Sequence, residues 1–320
     1  SNFASTEFVI DGVLAAGMTL LAGGWGSGKT SQLVPLMCRA AWLCRDDDEL
    51  KPKLRRKVIY ITEDVGQVRM ILRAMYDRGE FGKRADDLED YFKIVEAKRM
   101  QARLIACAAS EYADLTTRNT SDETNQEYDA KPVIVFDTRS AIIQLNDEND
   151  NTEAGDVIAT LRQGLPSYPM VIVGHLAKAL KRADTKDMSG RGAGAWEADV
   201  QQVLYLANDD GVRFLDVASP KHRFATKIDG LTFESVGSTI ETVDVLGETV
   251  SEEVYYGRPA VVALGGRKES KEAERANRVA QERTALRGAV LEVAQAWRTK
   301  PLTRRRLADH LGKRKTDVYA

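Results

Sequence analysis

Residues 20–31 read LLAGGWGSGKTS, and Gly23, Gly28, Lys29 and Thr30 fill the pattern G-x-x-x-x-G-K-[ST] without substitution. Each residue type there has a physical job. Glycines let the backbone turn tightly and aim its N–H groups at phosphate oxygens in front of a helix N-terminus. Gly23, Gly24, Gly26, Ser27 and Gly28 supply that cradle, and Lys29, Thr30 and Ser31 open the helix behind it. A lysine in this position bridges the β- and γ-phosphates, and the hydroxyl after it ligates Mg²⁺. The expected ligands are therefore ATP and Mg²⁺. The flanks agree: residues 18–22 (MTLLA) form a short apolar run suited to a buried strand, and residues 31–40 carry helical apolar spacing.

Three further apolar runs end on groups able to do chemistry. VIYITED closes on Glu63 and Asp64, PVIVFD on Asp137, and MVIVGH on His175. Ligands of parallel sheets gather at the carboxyl ends of the strands, so the coincidence points to one site. Asp137 can reach Mg²⁺ beside Thr30, or it can cap a following helix. The next residue is Thr138, not a carboxylate. P-loop ATPases that place a water-activating glutamate directly after this aspartate are therefore a poor fit, and the base must come from another strand. Glu63 is the candidate, with Asp64 the neighbouring alternative. His175 reads either as a phosphate-facing group or as a hydrogen-bonded core histidine.

The elements that must position these groups alternate strand and helix. Helices are predicted over 65–78 (stopping at Gly79), 100–112 and 157–165, with Pro35 bending the helix after the P-loop. Further strands are predicted at 91–95, 200–206 and 212–217, the last two around a turn at 208–211. Residues 8–14 should pack beneath or beside the nucleotide. Residues 144–156 read as a polar loop, and 116–131, nearly free of aliphatics, as a surface insertion. Residues 230–264 are β-patterned, with Gly247 a turn candidate. The fold class is α/β: a mainly parallel sheet flanked by helices, a β-rich extension and a small helical C-terminal tail.

Composition is that of an ordinary globular protein: 43% hydrophobic, 29% charged, net charge −2 over 320 residues. That net value hides an asymmetry. Residues 267–320 hold 15 basic and 7 acidic residues, a balance of +8, and the remainder carries −10. Nucleic acid would thus be met by local basic patches, not by global charge. The reading is two domains, 1–265 for the ATPase core and 266–320 for a basic helical segment. Within the latter, 301–319 resembles a partial helix-turn-helix, with an oligomerisation helix as the alternative. Cys38, Cys44 and Cys107 lack metal or disulfide spacing and read as buried thiols of a reducing compartment, the cytoplasm. No apolar run reaches membrane-span length. The chain starts Ser1-Asn2 without methionine, so a trimmed N-terminus with room for an upstream domain is expected.

Together the motifs resemble the RecA/DnaB-type ATPases, and more closely the RepA-like hexameric replicative helicases of plasmids and phages. The carrying segments are FVIDGVLAAGMTLLAGGWGSGKT, VIYITEDVGQVRMILRAMYDRG, VIVFDTRSAI, MVIVGHLAKA, GRGAGAWEADVQQVLYL and ASPKHRFA, in the family's order. The resemblance implies a RecA-like core that binds ATP between subunits of a ring. It implies Glu63 as catalytic base, Asp137 as metal-side acid and His175 as the polar sensor that couples phosphate state to a DNA-contacting loop. Lys221 and Arg223 resemble the finger pair that reaches a neighbouring subunit's nucleotide; read alone, they are a surface basic cluster. The pore-facing loop would carry Lys178, Lys181, Arg182, Lys186 and Arg191 along single-stranded DNA. Trp196 either stacks a base or belongs to the core. A small-molecule kinase of the P-loop class is a poorer fit, because the sequence lacks the lid arginines and acceptor pocket expected of that class.

Overall fold

A computed structural model describes residues 7–45, 49–52, 54–118, 131–147, 150–175, 194–209, 212–217, 228–243, 248–264 and 266. The chain divides into two compact units, Ser1–Leu264 and Gly265–Ala320. The partial helix-turn-helix, Lys221, Arg223, the five cations between 178 and 191, and Gly247 all lie outside the described residues.

The apolar runs become strands, most of them buried on both faces, as a parallel sheet covered by helices demands. They are β3 (Met18–Gly23), β4 (Val58–Thr62), β5 (Phe92–Glu96), β6 (Val133–Asp137) and β7 (Met170–His175). Every residue of β3, β4 and β6 is buried. With β8 (Gln202–Asp209), β9 (Val212–Asp216), β10 (Ile228–Val243) and β11 (Thr249–Ala263) they form one nine-stranded sheet. Its order is β11-β10-β9-β8-β3-β7-β6-β4-β5, parallel from β8 to β5 and antiparallel from β8 to β11.

The period of two sends alternate residues to two cores. Leu21, Tyr60, Val135 and Val173 face helices α1 (Lys29–Ala40) and α2 (Val65–Asp77). Leu20, Ile61, Phe136 and Ile172 face α4 (Ala102–Arg118) and α6 (Asn151–Gly164). Short helices α3 (Leu88–Tyr91), α5 (Arg139–Ile142) and α7 (Gly194–Asp199), with a 3₁₀ helix at Gly82–Asp87, complete the described set. A small hairpin, β1 (Phe8–Ile10) with β2 (Leu14–Ala15), is tied to the sheet by one buried side chain. Gln202 donates to the Val13 carbonyl (2.8 Å) and accepts from the Ala15 N–H (2.9 Å) and the Thr19 hydroxyl (3.1 Å).

The β10–β11 hairpin is the β-rich extension. Only Gly230 to Phe233 of β10 pair with β9, so the rest of the hairpin continues past that strand. Glu80, just beyond α2, accepts from the Tyr256 hydroxyl (2.8 Å) and from Arg258 (2.6 Å), and Arg78 donates to the Gly237 carbonyl. Gly230 permits the close pairing, since a side-chain carbon there would lie 2.1 Å from the Leu215 carbonyl oxygen.

Three sequence expectations need correction, and one open alternative is decided. Helix α6 starts at Asn151, inside the stretch read as loop, because Asp150 caps it by accepting from the N–H groups of Thr152 and Glu153. Helix α4 runs on to Arg118, so the first residues of the supposed insertion are helical. Cys107 is exposed, since α4 turns Ala106 and Ala109 inward and Cys107 to solvent. Trp196 is 1% exposed and packs under the Arg139 guanidinium (4.6 Å), which removes it from base stacking. Among the described residues no helix is long and apolar enough to cross a membrane.

Candidate nucleotide site

Strand β3 delivers the chain to the P-loop at the sheet's carboxyl edge, and α1 leaves from it. Gly28 adopts φ 76°, a left-handed backbone that glycine takes without penalty, directly before the first helical residue. The parallel register sets His175 beside Gly23 and Asp137 beside Thr62. Strand β7 lies between β3 and β6, so the P-loop strand and the Asp137 strand are not neighbours. Even so, Thr30 Oγ1 donates to Asp137 Oδ2 at 2.8 Å. The two residues meet across the end of β7.

Lys29 is buried and its ammonium donates to the carbonyls of Gly23 (3.2 Å) and Gly24 (2.9 Å). It also lies 3.2 Å from His175 Nδ1. While Lys29 is charged, Nδ1 is the acceptor of this contact, because an ammonium has no lone pair. Burial pulls the Lys29 ammonium down to about 8, with the Asp137 carboxylate opposing.

Asp137 is 2% exposed, and burial raises its carboxyl above the usual range. Hydrogen bonds from Tyr60 and Thr30, then the charge of Lys29, act against that rise, while Asp64 adds to it. Tyr60 donates to the same Oδ2 at 2.6 Å, and its own phenol is pushed well above its ordinary value, first by burial and then by Asp137. Both donors therefore load one oxygen. Asp137 Oδ1 is buried without a hydrogen-bond partner.

That orphaned oxygen tests the fit for Mg²⁺. A buried carboxylate oxygen left open beside a P-loop hydroxyl suits a hard cation that takes one or two protein ligands and otherwise phosphate oxygens and water. No group of three or more His, Cys, Asp or Glu that could hold a metal alone occurs among the described residues. The residues fit: Thr30 and Asp137 would hold the ion.

The two acids after β4 have separate fates. Asp64 caps α2, its side chain accepting from the Gln67 N–H at 2.9 Å. Glu63 is exposed, one residue past Thr62 and thus one past the register position of Asp137. Ser27 is buried with an unpartnered hydroxyl, Gly26 takes φ 72°, and Trp25 stands 84% exposed at the loop's tip.

Tyr60 was not legible as part of the site. A tyrosine in a buried strand needs a hydroxyl partner, which was a usable signal, but nothing local names that partner. Tyr60→Phe is expected to raise the Mg²⁺ concentration needed for half-maximal hydrolysis several-fold. The carboxylate loses a donor that fixes its orientation and favours its charged form. Hydrolysis measured against Mg²⁺, with thermal melting as control, checks this; an unchanged requirement would make Tyr60 a core residue only.

A glycine-rich strand–helix turn at the edge of a parallel sheet, with its acid strand two places away, defines a RecA-like P-loop ATPase core. The family model for the AAA domain matches residues 1–181, more than half of the chain. The chain belongs to that family. Among solved structures it is similar to the flagellar accessory protein FlaH from Methanocaldococcus jannaschii, at 10% identity and a TM-score of 0.36, over 75% of this chain and 91% of that one. No curated protein matches the sequence.

Proposed function

We propose that this protein hydrolyses ATP as an oligomeric, hexameric ring and couples hydrolysis to binding and movement along single-stranded DNA, as a replicative DNA helicase or a close relative. The observation that carries the reading is the contact between Lys29 and His175. A γ-phosphate arriving at the P-loop competes for the Lys29 ammonium and so releases His175. The chain runs from His175 directly into the segment bearing Lys178, Lys181, Arg182, Lys186 and Arg191. Nucleotide state and a basic, phosphate-tracking loop are thereby joined through one side chain.

Within the site, the N–H groups of Gly24 to Ser31 bind the phosphates, and Lys29 bridges the outer two. Thr30 and Asp137 would hold Mg²⁺, which supplies charge neutralisation on the phosphate oxygens when bound. Glu63 orients and deprotonates the attacking water, and its exposure leaves it accessible to that water. Lys221 and Arg223 reach the neighbouring subunit's phosphate, which makes turnover depend on assembly.

The test is hydrolysis by the full chain with and without single-stranded DNA, together with mass in solution with and without ATP and DNA. DNA-stimulated hydrolysis in a ring is expected. A strict monomer that DNA does not stimulate would sink the reading. Stimulation without strand displacement would select a loader-type or regulatory ATPase, a reading that the basic tail of +8 favours.

A further inference from the structure

Strand β9 starts at the carboxyl edge of the sheet, two strands from β3. From there Arg213 folds back onto the P-loop. A side-chain carbon placed on Gly28 would lie 3.2 Å from Arg213 Cζ and 3.4 Å from its Nε. The same position is 3.1 Å from Nε2 of Gln32, a 2% exposed residue whose amide nitrogen and oxygen both lack hydrogen-bond partners. A guanidinium and an unsatisfied buried amide thus flank the glycine that must receive phosphate.

The sheet order says which part of the nucleotide they meet. Lys29 points to His175 on β7, and farther along Asp137 ends β6 and Glu63 follows β4. The terminal phosphate is therefore on that side of β3. The inner phosphates and nucleoside must then leave toward β8 and β9, where Arg213 stands. Resting on the nucleotide reading above, we infer that Arg213 binds the inner phosphates of the nucleotide from within the same subunit, with the Gln32 amide as a second donor. A guanidinium offers five donors in a planar fork and keeps its charge at all working pH. This contact differs in kind from the finger pair: it needs no neighbour and does not distinguish ATP from ADP.

The experiment is calorimetric binding of ADP, a non-hydrolysable ATP analogue and inorganic pyrophosphate to the full-length wild type and to Arg213→Ala, Arg213→Gln and Arg213→Lys. All three ligands are expected to bind Arg213→Ala and Arg213→Gln more weakly by a similar factor, about tenfold or more, with partial recovery in Arg213→Lys. Thermal melting identifies any variant that fails to fold, and Arg213→Gln, which keeps the length and polarity, then carries the comparison. Unchanged affinities in the variants overturn the inference. A loss confined to the ATP analogue overturns it too, by placing the guanidinium on the terminal phosphate. Unchanged pyrophosphate binding with weakened ADP binding overturns it in favour of a base contact. A wild type that binds none of the three overturns the nucleotide reading itself, which is a separate result.

Discussion

Lys29→Ala is expected to abolish hydrolysis, with turnover falling by at least about a hundredfold, because a buried P-loop cation is lost. The wild type should also show a pH signature that the variant lacks. Burial disfavours the charge of the Lys29 ammonium and lowers its pKa to about 8 in the nucleotide-free chain, against an ordinary value of 10.5. Below that pH the ammonium is already present. Above it, each bound triphosphate must first draw a proton onto Lys29, so affinity falls as pH rises through about 8. In Lys29→Ala there is no proton to take up, and affinity is weak but flat across the same window. Calorimetry at several pH values in two buffers of different ionisation heat checks both parts. Proton uptake on binding by the wild type above that pH, and none by the variant, is the expected result.

The same lysine shows what the sequence could and could not reveal. Its place was legible because the P-loop is local: glycines, lysine and hydroxyl are adjacent, and the flanking strand and helix carry their own periodicity. The acid-bearing strands were legible for a related reason. β4 and β6 are buried on both faces, so they read as unbroken apolar runs, and chemistry at their last residue stands out against that background. The sheet end with β9, β10 and β11 was legible as β-patterned sequence, though not as a hairpin passing its sheet neighbour to reach Glu80.

What was hidden is whatever depends on strand order. Tyr60 touches Asp137 only because β4 and β6 are neighbours, and Arg213 touches Gly28 only because the hairpin end of the sheet turns back to the P-loop. Neither adjacency is written in local spacing. The start of α6 was hidden differently. Asp150 lies in a run of polar residues that looks like loop, and there the cap, not an apolar stripe, decides where the helix begins. The expected burial of Cys107 on α4 failed through phase: it sits one residue from the buried Ala106 and so about 100° around the helix, toward solvent.

The choice between the paired acids follows from the local geometry and yields the second large effect. Glu63→Gln is expected to lower turnover by about 10²–10⁴ while leaving ATP binding intact. Asp64→Asn should leave turnover close to wild type. Asp64 already spends a side-chain oxygen on the Gln67 N–H, where it holds the start of α2, and asparagine caps a helix about as well as aspartate. Glu63 has no such structural task among the described residues and stands exposed at the strand end, where a water can reach it. Its amide replacement keeps the shape and the capacity to accept a hydrogen bond but cannot take the proton, so the loss falls on turnover and not on affinity. Single-turnover hydrolysis, measured beside equilibrium ATP binding, separates the two quantities. Full activity in Glu63→Gln with a dead Asp64→Asn would transfer the base to Asp64 and require α2 to release its cap whenever water is activated.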